Sequence, residues 1–398
     1  MRKLIFISHV IRFPYGPGAA ARMRNYALGL SRCGVEATIL CLKPYESFGR
    51  SIVYNEWHGY VENVAYFYPC GTTIMENNKF KRILQNMKGI IGAIYYIIQQ
   101  KKFNNIKALI YYGVSHSNMY SFFGYILSRI AKVPYIGEAT EQPFVYLAQG
   151  LWKKVNEKIF WQFICKLFDG VIVISKHLEW QFRQHVRKKA QIELIPIMVD
   201  VAQYAQDDIM PENLITYCGT FNHYEEIKIL LDAWNEILSD FPSYKLAIIG
   251  DKLEPNYIKI YQEVLKLRIE DRVLFTGNLK PSELAAFLKK SKVLVLPREN
   301  GLFSLAGLPN KLGEYLATGR PVVCTAVGDI PIYIKDKKEA YLVEPGNKKQ
   351  FIEELKYILN NYEEAKIVGK AGKKAAERFF TIELNCKRLL AFIERLSN

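Results

Sequence analysis

No two of the seven cysteines in this 398-residue chain form a CxxC pair, and their number is odd. Cys33, Cys41, Cys70, Cys165, Cys218, Cys324 and Cys386 lie mostly in apolar runs. That pattern excludes a disulfide scaffold and reads as reduced, buried thiols of a cytosolic protein. HExxH, paired Cys/His spacing and a DxD within residues 296–325 are all missing, so no metal constellation is expected. Long apolar runs are missing as well. The nearest, GIIGAIYYII at 89–98, falls short of the roughly 18 residues a spanning helix needs. The opening MRKLIFISHV has a basic start, but its apolar stretch is short, Arg12 and a GPG turn follow, and no small-residue cleavage site appears. It reads as a first β-strand, not a signal peptide.

Acidic residues are scarce in one half only. Residues 1–200 hold 26 Lys and Arg against 12 Asp and Glu, while the remainder hold 28 against 27. Nearly all of the net +15 therefore lies in the first half, which is expected to meet something anionic: nucleic acid, an anionic membrane leaflet or a phosphorylated ligand. No helix-turn-helix, zinc-finger spacing or RNP-type aromatic motif accompanies that charge, so nucleic acid is the less favoured partner. Two stretches concentrate it: 79–103, with Lys79, Lys81, Arg82, Lys88, Lys101 and Lys102, and 152–168, rich in lysine and aromatics. Both are candidates for lying on an anionic leaflet, apolar face down, or for being domain helices with a solvated basic face.

A chain this long exceeds one hydrophobic core and suits two domains. Apolar runs at 3–10, 35–42, 107–113, 134–138 and 170–175 alternate with helical stretches, and the pattern repeats after a join near 195–204. Second-half strands are expected at 214–219, 245–250, 273–277, 293–297, 321–325 and 340–343. This is an α/β pattern of parallel sheets with helices on both faces. Two such domains in tandem are expected to bind ligand in a cleft between them.

Residues 296–325, LPRENGLFSLAGLPNKLGEYLATGRPVVCT, carry the most chemistry. A strand ends in a loop, and a helix begins near Pro309, which suits a first helical turn. The N–H groups there form an anion site aided by the helix dipole. Lys311 and Arg298 add positive charge, and Glu314, one turn in, is placed to accept hydrogen bonds from a ribose diol. The segment therefore offers a phosphate end and a sugar end. No GxGxxG with a placed acidic residue is present, which disfavours a nicotinamide enzyme.

This segment resembles the donor-binding signature of glycosyltransferase family 4, the retaining enzymes of GT-B fold, and in particular a bacterial cell-surface-polysaccharide branch. Glu314 matches the second of two family glutamates, ATGRPVV matches the tail after it, and Arg298, Pro309, Asn310 and Lys311 match the LPR and PNKL elements of that branch. The first glutamate falls at Ala306 and is absent. The resemblance implies an α/β GT-B architecture of two tandem Rossmann-like domains facing across a cleft. Its parts are an acceptor-binding domain over 1–197, a nucleotide-sugar domain over 205–375, and a C-terminal helix in 376–398 packing back on the first domain. It further implies that Glu314 holds the donor ribose and that the amides of Asn310, Lys311 and Leu312 hold the diphosphate. No cofactor or metal is implied beyond a UDP- or GDP-linked co-substrate.

The family usually places an Arg and a Lys after the first strand of the second domain, and these fall here at Thr220 and Glu225. Arg298 and Lys311 are taken to supply the missing charge, with Gly219, Thr220, Asn222 and His223 near the phosphates. VLFTGNL at 273–279 resembles the strand before the nucleobase, which brings in Asn278. On the acceptor side, Gly16, Pro17 and Gly18 resemble the family's glycine loop, and a glutamate-rich PYIGEATEQPF stretch places Glu138 and Glu141, with His116 after the 107–113 strand. Glu138 is counted with Arg298 and Lys311 as a catalytic candidate. The implied partners are a nucleotide sugar, a lipid-linked glycan acceptor and the anionic inner face of the cell membrane. Two other readings stay open: a nucleotide-sugar epimerase of the same shape, and a nucleic-acid binder using the basic half.

Overall fold

A computed structural model describes residues 3–16, 18–46, 55–114, 116–205, 209–219, 221, 226–252, 254 and 256–397. The chain divides into two units, Met1–Pro196 with Ile382–Asn398, and Ile197–Thr381. The first opens with β1 (Lys3–Ser8), α1 (Ala19–Arg32), β2 (Ala37–Cys41), the pair β3 (His58–Val61) and β4 (Val64–Phe67), and α2 (Lys79–Lys102). It continues through β5 (Ile106–Tyr112), α3 (Asn118–Ala131), β6 (Tyr135–Ala139), α4 (Leu151–Gln162), β7 (Gly170–Val173), α5 (Lys176–His185) and β8 (Gln191–Leu194). The sheet order is β3-β4-β2-β1-β5-β6-β7-β8, and every pairing is parallel except β3 with β4.

The central strands are buried along almost their whole length. That is why β1, β5 and β7 read as unbroken apolar runs and not as alternating ones. Helices start where side chains satisfy exposed N–H groups. The Asn78 amide oxygen accepts from Phe80 and Lys81, Ser117 Oγ from Tyr120, and Ser175 Oγ from Leu178. The antiparallel β3–β4 hairpin was not among the expected strands. It turns at Glu62, with φ of 52°, and Asn63, without the glycine that usually marks such a turn.

The second unit runs β9 (Glu212–Cys218), α6 (Ile227–Ile237), β10 (Lys245–Ile249), α7 (Tyr257–Leu267), β11 (Val273–Gly277), α8 (Pro281–Lys290) and β12 (Ser291–Leu296). Then come α9 (Leu302–Ala306), α10 (Asn310–Ala317), β13 (Val322–Thr325), α11 (Ile330–Tyr333), β14 (Tyr341–Val343), α12 (Lys348–Asn360) and α13 (Tyr362–Phe379). Its sheet is parallel throughout, in the order β11-β10-β9-β12-β13-β14. Trp234, Tyr217, Tyr341 and Phe351 fill its core beside the aliphatic strand residues.

The last helix, α14 (Ile382–Ser397), belongs to the first unit. It lies on α1 at Gly29, where a Cβ would sit 2.3 Å from Cys386 Sγ, and Arg32 pairs with Glu383 at 2.5 Å. The changeover falls at Thr381/Ile382 and not at 375/376. Val199 N–H donates to Phe380 O at 2.7 Å and bridges to Thr381, which keeps 376–381 with the second unit.

Candidate active site

In the second unit, β9 leads through α6 to β10 on one side, while β12 lies on the other. The chain therefore reverses its winding between β9 and β12, the place where parallel α/β sheets leave a crevice at their carboxyl ends. Gly219 and Arg298 follow those two strand ends. Arg298 is 6% exposed, and its backbone N–H donates to Thr325 Oγ1 at 2.9 Å, which anchors the loop after β12 to the end of β13. Gly219 N–H donates to Ile249 O, and a Cβ on Gly250 would come within 2.5 Å of Gly219 O, so glycine is required there.

The helix α10 is seated on this reversal point. Tyr315 Oη accepts the Cys218 N–H at 2.7 Å, tying the helix to the last residue of β9. Lys311 Nζ stands 5.2 Å over the ring of the fully buried Tyr217 in the same strand. Leu312, Leu316 and Tyr315 are buried beneath, while Asn310, Lys311 and Glu314 are half-buried on the upper turn. Glu314 acts electrostatically on Tyr204, whose phenol is pushed up mainly by burial and further by that carboxylate. The helix ends in a Thr318–Gly319 turn, with Gly319 at φ of 73°.

In the first unit, the corresponding reversal lies between β1 and β5. His9, just beyond β1, shares a 2.6 Å hydrogen bond with Tyr111 and stacks on Tyr120 at 4.4 Å, with Lys43 Nζ 4.4 Å over the far ring. His116 stacks on Tyr146, and its Nε2 lies 3.5 Å from Glu141 Oε2, while Tyr146 Oη donates to Glu141 Oε1 at 2.5 Å. Burial holds His116 down at about 4. His9 is also held well below the usual histidine value, chiefly by burial, then by Lys43 and His116. Burial raises Glu141, and the Tyr146 hydrogen bond partly offsets it. Both imidazoles are therefore neutral at pH 7, ready to exchange hydrogen bonds with uncharged hydroxyls.

Residues 204–375 match the family model described as "Glycosyl transferases group 1". An uncharacterized glycosyltransferase of Methanocaldococcus jannaschii is 24% identical over 313 residues, covering 76% of this chain and 83% of that relative. The N-acetyl-alpha-D-glucosaminyl L-malate synthase of Bacillus anthracis is 26% identical over 225 residues, covering 54% of this chain and 56% of its own length. The chain thus spans little more than half of that second relative. Among solved structures, sucrose-phosphate synthase of Thermosynechococcus elongatus superposes with a TM-score of 0.75 at 18% identity, covering 99% of each chain. Anabaena HepE, in complex with UDP and glucose, gives 0.72 at 14% identity, covering 99% of this chain and 100% of its own. The chain is a glycosyltransferase, and its two parallel-sheet units are those of the GT-B fold.

Several predicted site residues of this glycosyltransferase take positions that sequence spacing did not anticipate. Pro309 is the N-cap of α10, not its first helical residue, and gives no side-chain cap. Leu312 N–H donates back to Pro309 O at 3.0 Å, so of the three amides expected at the diphosphate this one is paired within the turn. Ala306 is fully buried, so a glutamate at this position would be enclosed in this arrangement. Asn278 is exposed just past β11, two strands from the reversal point. Thr220, Asn222, His223 and Pro17 lie outside the described residues.

Glu138 requires the largest correction. Its side chain is 0% exposed and bonded to Arg22 Nε at 2.6 Å and Tyr26 Oη at 2.9 Å. Arg22 also donates to the carbonyls of Ile195 at 2.9 Å and Pro196 at 2.7 Å. A carboxylate held inside this network does not present itself to acceptor hydroxyls, so Glu138 is a positioning residue. Glu141 and His116 remain at the carboxyl edge. The two glycines differ as well. Gly18 caps α1 at φ of 51° with open space around it, whereas Gly16 is glycine because a Cβ would meet Arg12 O at 2.6 Å. Sequence reasoning missed Tyr217, Tyr315, Ser304, His9, Lys43 and Tyr120. Of these, the buried Ser304 hydroxyl, between Arg298 and α10 in sequence, has no hydrogen-bond partner among the described residues. Its place in the LPRENGLFSLAG segment, where it falls in α9, was the one available signal.

Proposed function

We propose that this enzyme moves a sugar, with retention of configuration, from a UDP- or GDP-linked donor to a lipid-linked glycan in bacterial capsule, O-antigen or exopolysaccharide synthesis. One observation carries the reading: α10, which bears Lys311, sits on the β9/β12 reversal point, and Arg298 lies just past the end of β12. A diphosphate there meets helix-terminal N–H groups and two cations, and Glu314, one turn later, accepts from the attached ribose. In this reading the acceptor hydroxyl attacks the anomeric carbon on the face the diphosphate leaves. The C–O bond to the diphosphate breaks, and a phosphate oxygen takes the acceptor's proton. Arg298 and Lys311 stabilise the charge that grows on the leaving group.

Thermal-shift measurement with UDP, GDP and ADP tests the donor site. A nucleoside diphosphate at about 100 times its Kd is expected to add about 2.7 kcal/mol to the folded state. The absence of a shift with all three would remove the assignment.

The lipid-linked acceptor is supported by the layer formed by α2, α3 and α4, in which α2 packs on α3 and α3 on α4. On α2, Phe80, Ile83, Leu84, Met87, Ile91 and Tyr95 are each at least half exposed, and only Gly89, Ala93 and Ile97 are buried. Trp152 on α4 is 72% exposed. Exposed Lys79, Lys81, Lys88, Lys101, Lys102, Lys154 and Lys158 complete an apolar face set among cations, the chemistry of an anionic leaflet. Among the described residues no helix is long and apolar enough to cross a membrane, so this is interfacial contact. Ile91→Asp is expected to weaken binding to phosphatidylglycerol-containing vesicles about tenfold, from one lost apolar anchor of about 1.5 kcal/mol. Flotation of the variant equal to wild type would refute this surface.

A further inference from the structure

The carboxyl ends of the first unit's strands hold the His9–Glu141 cluster. The opposite edge of the same sheet carries something different. Where β5, β6, β7 and β8 begin there is a recess of about 740 Å3. Lys107, Arg129, Lys132, Arg187, Lys189 and Arg395 line it, and Asp169 is the one carboxylate in its lining among the described residues.

Asp169 organises the cations and does not cancel them. It takes Arg129 Nη2 at 2.5 Å and Arg187 Nη2 at 2.7 Å, and its Oδ2 also accepts Tyr135 N–H at 2.9 Å. Arg187 is further fixed on Phe168 O at 3.0 Å. Two guanidiniums are thereby held around a single charge. Arg395 leans on Glu193 and Lys107 on Glu394, while Lys132 and Lys189 make no ion pair within 4 Å among the described residues. Cations so held invite an external anion.

We propose that this recess is a second ligand site of the enzyme, binding a mobile polyanion made of linked phosphate groups. Arginine forks match phosphate oxygens pairwise, and the two lysines add point charges at the rim. Among the described residues no aromatic ring lines the recess, so nucleobases would find no stacking platform there. Its apolar lining is limited to Val133, Pro134, Ala190 and Leu396, too little to seat in the hydrocarbon of a bilayer. The site stands apart from the glycosyl-transfer reading, because it uses none of the residues that reading needs.

The test is calorimetric titration of the full chain with inorganic tripolyphosphate, with UDP saturating so that the donor site is filled. Binding is expected at low salt and to weaken markedly as ionic strength rises from about 20 to about 200 mM. The double variant Lys132→Asn/Lys189→Glu is expected to lose at least about tenfold in affinity. Asn tolerates the left-handed backbone at 132, where φ is 58°, and an unchanged thermal shift with UDP shows that the variant is folded. No binding, or binding undiminished in the double variant, overturns the proposal. So does single-stranded DNA of equal phosphate count binding tenfold more tightly, or binding seen only with anionic vesicles. Failure of the UDP shift alone touches the donor site and leaves this one standing.

Discussion

Arg298→Ala is expected to lower kcat by roughly 100- to 1000-fold, the loss that follows removal of one preorganised donor to a developing anion, about 2.7–4 kcal/mol. The residue follows the carboxyl end of β12, 6% exposed, with its backbone clamped to Thr325. In the proposed reading, its backbone needs no ordering when charge builds on a leaving diphosphate. Neither of the basic residues usual after β9 is present, since Thr220 and Glu225 occupy those places. In the proposed reading, Arg298 and Lys311 carry that task. Arg298→Lys is expected to fall between alanine and wild type, because it restores charge without the planar fork. Steady-state kcat and KM with a nucleotide sugar, alongside melting temperatures, separate lost chemistry from lost folding. Wild-type rates in both Arg298→Ala and Lys311→Ala would exclude the shared role.

Glu138→Ala is expected to destabilise the first unit by about 3–5 kcal/mol, since it strands the Arg22 guanidinium in the interior. Arg22 is 2% exposed and joins α1, β6 and the carbonyls of Ile195 and Pro196, the last residues of the unit before the changeover. Glu138→Gln keeps the hydrogen-bonding shape and removes the charge, so a smaller loss is expected, with kcat within about tenfold of wild type. The double variant Arg22→Met/Glu138→Leu is expected to recover more than half of the stability lost by Glu138→Ala, because no unpaired charge remains. Urea midpoints measure all three. If Glu138→Gln folds with wild-type stability but abolishes turnover, the carboxylate touches substrate and the positioning role is wrong.

Much of the second unit was readable because its parts are close in sequence. Strand, loop, helix and next strand occupy 296–325, and a proline start and a Gly319 stop bound the helix in the chain itself. The parallel sheets were readable for a similar reason, since strands buried on both faces show as continuous apolar runs. The β3–β4 hairpin was not, because β3 is half exposed and its turn lacks glycine.

Side-chain roles in the first unit depended on distance. Glu138 looked like a surface carboxylate after a strand, but its partner Arg22 is 116 residues away and the Ile195 carbonyl capping Arg22 is 173 away. His9, Lys43, Tyr120 and Glu141 converge only because β1, β2, β5 and β6 are neighbours in one sheet. The lysines and apolar residues of α2 were visible as a composition, but whether they lay in a core or on the outside was set by which three residues the sheet covered. Sequence alone determined the alternation of strands and helices and the local strand–loop–helix–strand segment at 296–325, because hydrophobic period and capping act within a few residues. Tertiary structure decided which charges were buried as pairs, which stayed at the surface and which gathered into a recess, because burial and Coulomb energy depend on neighbours that the chain order does not reveal.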